Sequence, residues 1–87
     1  MKIVTLKDMI RKDVPIYYRK LYTSVAVIEL NNKQNDYRID FSLEIKPTGA
    51  KEVSVTFIDA VDYPLVPVIR ELKRHIIELD NADGLPN

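Results

Sequence analysis

Tyr37-Arg38-Ile39-Asp40-Phe41-Ser42-Leu43-Glu44-Ile45-Lys46 carries the clearest periodic signal in the chain. Apolar side chains at 37, 39, 41, 43 and 45 alternate with charged or hydroxyl ones at 38, 40, 42, 44 and 46. Successive side chains of a strand point to opposite faces, so this alternation predicts an antiparallel strand with one face on a core and the other in water. Pro47-Thr48-Gly49-Ala50 follows as a tight reversal, proline presetting φ and glycine admitting positive φ. The chain returns over Glu52–Ile58, with Val53, Val55 and Phe57 on the inner face. Upstream, Ser24–Leu30 reads as another strand, set off by the polar loop Asn31-Asn32-Lys33-Gln34-Asn35. Together these segments predict a three-stranded antiparallel meander.

A helix is expected at each end of that meander. Thr5-Leu6-Lys7-Asp8 has the form of a capping box, in which the Thr5 hydroxyl accepts from the Asp8 amide. Leu6, Met9 and Ile10 continue at helical spacing, so a short helix is predicted over 6–12, ended by Asp13-Val14-Pro15. Residues 14–22 are ambiguous, their aromatics favouring a strand and their spacing a helical turn; irregular chain or a turn is the reading adopted. Leu65, Val68, Ile69, Leu72, Ile76 and Leu79 form one stripe, which predicts a helix from about 65 to 79 lying on the sheet. The fold class is therefore α+β: helix, three-stranded meander, helix, with both helices on one face. Residues 1–80 make one small domain and 81–87 a frayed C-terminal tail.

Composition narrows the chemistry. The 87 residues carry 13 Lys+Arg against 13 Asp+Glu, one His and no Cys. Without cysteine there is no disulfide framework, thiolate nucleophile or Cys-based zinc site. The amino terminus meets a charge at Lys2, and the longest apolar run, Val25–Ile28, is far below the ~20 residues that span a bilayer. A cytoplasmic location and no membrane association are expected.

Candidate catalytic groups are few. His75 stands alone, flanking the apolar stripe of the last helix, with Glu71 one turn before it. Asp40 and Glu44 share a strand face, but four residues of strand put them ~13 Å apart, beyond the reach of a glycosidase pair. Asp80-Asn81-Ala82-Asp83-Gly84 lacks the spacing of a calcium loop and reads better as a helix stop. Gly49 and Gly84 alone cannot build a phosphate-cradling loop. The expectation is a non-enzymatic chain with no metal, cofactor or small-molecule substrate. An enzyme using His75 as a base is the least favoured reading.

Two surfaces stand out instead. On the first strand Val25 and Val27 face away from the side of Ala26, Ile28 and Leu30. With Ile58 and Ile77, they are candidates for an interface with a protein partner or a second copy, through the open sheet face or an edge strand. The alternative is nucleic acid. Residues 1–22 sum to +4 and the remainder to −4, and tyrosines interleave with the basic groups. Lys12, Tyr18, Arg19, Lys20, Arg70, Lys73 and Arg74 are the candidates for phosphate contact and base stacking.

The predicted element order is similar to that of double-stranded RNA-binding domains. That resemblance implies phosphate contacts from basic groups at the start of the second helix. Here the start reads Asp62-Tyr63-Pro64-Leu65-Val66-Pro67, with no basic residue until Arg70. The similarity lies in element order alone.

Overall fold

Four strands and one helix make up the molecule, in a computed structural model that describes residues 1–86. β1 (Lys2–Lys12), β2 (Arg19–Leu30), β3 (Lys33–Ile45) and β4 (Lys51–Phe57) form an antiparallel meander in the order β1-β2-β3-β4. α1 (Leu65–Asn81) packs on one face of it. The fold is α+β with a single helix. The expected helix over 6–12 is a strand, so the sheet has four strands rather than three, and the similarity to double-stranded RNA-binding domains loses its basis in element order.

β1 resembles a helix in sequence because it is bulged. Ile3 pairs with Ile28 and Leu6 with Ala26, so three residues of β1 are laid against two of β2. The register shifts again between Lys7 and Ile10. Each bulge adds one residue, which moves the core-facing positions to Ile3, Leu6 and Met9, three apart. That spacing is also one face of a helix. Asp8, the presumed capping acid, sits at φ 53 in the second bulge. The buried Ser24 hydroxyl donates to the Lys7 carbonyl at 2.8 Å beside it.

Both central strands run longer than their alternation suggests. Asn31 and Asn32 at φ 52 and 63 form a two-residue hairpin turn of the type that positive φ at both positions defines, and Leu30 pairs directly with Lys33. The segment 14–22 divides: its second half enters β2 at Arg19, while Ile45 donates to the Tyr18 carbonyl just before it. Gly49 at φ 88 closes the β3–β4 hairpin, as Pro47-Thr48-Gly49 predicts.

The core lies between the sheet and α1. Tyr22, Ala26 and Ile28 of β2, Ile39, Phe41 and Leu43 of β3, and Val53 of β4 face Val68, Leu72 and Ile76, spaced one turn apart. Pro67 is accommodated in the first turn of α1, where amides have no helical partner. Among the described residues, α1 comes within 8 Å (Cα to Cα) of β4 and β1 but of neither central strand. The sheet is therefore curled, its edges rising towards the helix. In the segment read as a frayed tail, Leu85 is only 8% exposed within the core, and the Pro86 carbonyl accepts from the Tyr22 hydroxyl at 3.0 Å. Asn87 lies outside the described residues.

Candidate interaction surface

The open face of the sheet is laced with charge. Lys7 stands opposite Val25 and Asp36 opposite Val27, and their 2.7 Å ion pair crosses β2 between those two valines. Lys12 and Asp40 lie across β2 from each other in the same way, over Leu21 and Thr23, at 3.7 Å. Arg19 reaches Ser42 at 3.4 Å, and Arg38 forks onto Asp59 at 2.7–3.2 Å while its backbone N–H donates to the same carboxylate. These contacts hold the Asp59 carboxyl below its ordinary pKa, chiefly through the Arg38 side-chain hydrogen bonds. Asp36 likewise raises the Lys7 ammonium, mainly by its hydrogen bond.

The structure spreads the four candidate interface residues over the molecule. Val27 is 7% exposed and Val25 half-buried, both beneath the Lys7–Asp36 pair. Ile58 is 52% exposed beyond the end of β4, on the far side of the Arg38–Asp59 pair. Ile77 is on α1, partly buried against the core. The basic candidates divide as well. Register places Lys12 and Arg19 on the open face and Lys20 on the helix side, with Tyr18 half-exposed at the mouth of β2. Arg70 and Lys73 are exposed on α1, and Arg74 is bonded to Glu71. Glu71 is thereby engaged by Arg74. His75 lies half-buried in a cleft formed with Met1, Lys2, Ile3 and Glu78. Among the described residues no cluster of His, Cys, Asp or Glu is placed to hold a metal ion, and no helix is long and apolar enough to cross a membrane.

A different surface is continuous, at the outer edge of β4. The Ile58 amide donates to the Arg38 carbonyl, and the Lys46 amide to the Ala50 carbonyl. Even-numbered residues of this segment thus turn their backbone groups towards β3. In a strand these directions alternate, so Lys51, Val53, Val55 and Phe57 direct their N–H and C=O outward, where no further strand lies. β4 is short, regular and free of proline.

The flank of α1 above this edge is apolar. Asp80 is fixed over β4 by Lys51 at 2.6 Å, which identifies the side of the helix turned that way. At 100° per residue, Val66, Ile69 and Lys73 share that side, and Val66, Ile69, Arg70 and Lys73 line one shallow depression. Val66 is 69% exposed and Leu65 45%. The sequence spacing assigns Leu65 and Ile69 to the core stripe, but the buried stripe is Val68-Leu72-Ile76 and Leu65 is largely outside it.

Residues 1–81 match the model of a single protein family. The chain belongs to the BB_0187 family. The match spans all four strands and the whole of α1, so the bulged β1, the regular β4 edge and the α1 flank all fall within the family's extent. Leu85 and Pro86 lie beyond it. No curated protein and no solved structure matches the chain.

Proposed function

We propose that this chain is a non-enzymatic interaction module that docks a protein partner or a second copy along the outer edge of β4 and the adjoining flank of α1. The observation that carries the reading is the contrast between the two sheet edges. β1 is broken by two bulges and studded with Lys2, Lys7, Arg11 and Lys12, the devices that keep an edge from pairing. β4 carries no bulge, and its outward amides and carbonyls lie below exposed Val66 and Leu65. An edge of that kind recognises extended chain through main-chain hydrogen bonds, with the helix flank supplying apolar contact. The open face is less suited, because its valines are covered by ion pairs within the chain.

The test compares capture from an extract of the native host by the wild type and by an edge variant carrying Val66→Glu with Ile69→Glu. A partner bound by the first and lost from the second is expected. Retention of the same proteins by both would overturn the edge as the docking site.

A further inference from the structure

We infer that the occupant of the β4 edge is the β4 strand of a second copy, paired antiparallel about a two-fold axis through Ser54. The inference rests on the reading of that edge given above and names its partner. Three independent requirements of self-pairing meet at this one register.

The first is face. Two copies related by a two-fold axis normal to the sheet keep their helices on one side only if each residue meets one of the same parity, so the axis must pass through a residue. Centring on Ser54 uses the full strand, setting Val53 against Val55, Glu52 against Thr56 and Lys51 against Phe57. The second is hydrogen bonding. In that register the outward-directed residues, Lys51, Val53, Val55 and Phe57, oppose one another, and each pair exchanges both N–H···O bonds. Ser54 then forms a non-hydrogen-bonded pair with its own copy, the closest spacing in an antiparallel ladder. The third is charge. No pair across the junction brings like charges together, the residue on the axis is neutral and exposed, and the whole chain has formal net charge +0. The product is a continuous eight-stranded sheet with both helices on one face. The Val66–Ile69 flank of each helix is turned towards its partner.

The absence of cysteine supplies a clean test. Across the axis, the two Ser54 Cα atoms would be about 4.5 Å apart, within disulfide range. The two Glu52 positions would be about 13 Å apart along the strand. Purified Ser54→Cys and Glu52→Cys are exposed to oxidised glutathione, alongside sedimentation equilibrium of the wild type. Expected are a concentration-dependent dimer, rapid cross-linking of Ser54→Cys and little of Glu52→Cys. Ser54→Lys, on an exposed position, should weaken the dimer about three- to fivefold, with the loss diminished in high salt. A monomer at every concentration with no preferred cross-link overturns the inference, as does cross-linking of both variants at equal rates. If a monomer still captures a host protein through the same edge, the interaction reading stands and self-pairing falls. If the host protein is also retained by the Val66→Glu, Ile69→Glu variant, both fall.

Discussion

Asp59 accepts three side-chain hydrogen bonds from Arg38 and one from its backbone amide, and so it ties the chain beyond β4 to β3. Its pKa in the fold is depressed, first by the Arg38 side-chain bonds and then by the backbone bond. A depressed carboxyl contributes stability that is present above its unfolded pKa, about 3.9, and is lost as pH falls through the lower folded value. Glu52, held down by its hydrogen bond to Lys46, acts in the same direction. Asp59→Asn should therefore flatten the acid limb of a urea-midpoint profile below about pH 4 and leave its shape near neutrality unchanged. An acid limb as steep as the wild type's would show that the pair contributes nothing to the fold. The core makes a larger demand on a single residue. Leu72 is fully buried in the middle of the α1 stripe, and Leu72→Ala should cost about 2–5 kcal/mol in denaturant unfolding.

β1 shows at the scale of an element how a strand hides in sequence. Its bulges replace period two by a spacing of three, and the resulting Ile3, Leu6 and Met9 satisfy a helical pattern as well as a strand. The apparent capping box adds a second false signal, since Asp8 occupies the left-handed region instead of closing a helix. The unbulged strands were legible: period two in β3, the proline–glycine reversal and the Val53-Val55-Phe57 return all appear where the pattern puts them. So was α1, whose hydrophobic stripe reports its own partner face. The β4 edge was legible only as a class, an edge strand, because strand order decides which strand is outermost and a mis-assigned β1 changes the count of strands. The helix flank was hidden by degeneracy. Leu65 and Ile69 lie beside the true stripe, and only the tilt of α1 on the curled sheet separates core from surface. The strained position tests this account of β1. Asp8→Val places a branched side chain at φ 53 and should cost about 1–2 kcal/mol, whereas Asp8→Gly should be neutral or slightly stabilising. Equal unfolding midpoints for the two variants would refute the bulge as the reason for Asp8.

For the molecule as a whole, the decisive question is what closes the end of the core where α1 stops. The helix ends at Ala82, Asp83 takes φ 55, and the Gly84 amide donates to the Leu79 carbonyl at 2.7 Å. A Cβ at Gly84 would stand 3.0 Å from the Leu79 side chain, so the return is tight enough to favour glycine. It delivers Leu85 into the core and the Pro86 carbonyl to the hydroxyl of Tyr22, whose ring is buried and stacked on Phe41 at 4.9 Å. Burial also raises the pKa of that phenol, consistent with a ring kept from water. The family match stops at residue 81, yet this closure depends on residues after it. A chain ending at Asn81 should fold with the same strands but lose about 2–4 kcal/mol, combining the burial of one leucine with one partly buried hydrogen bond. In a domain this small that is a large share of the total, commonly about 5–15 kcal/mol. Tyr22→Phe in the full chain separates the two contributions, because it removes the hydrogen bond and keeps the ring; it should cost about 0.5–1.5 kcal/mol. Unfolding midpoints of the three chains, measured in urea at one protein concentration, decide the matter. A shortened chain as stable as the full one would mean that the Tyr22 end of the core closes without Leu85.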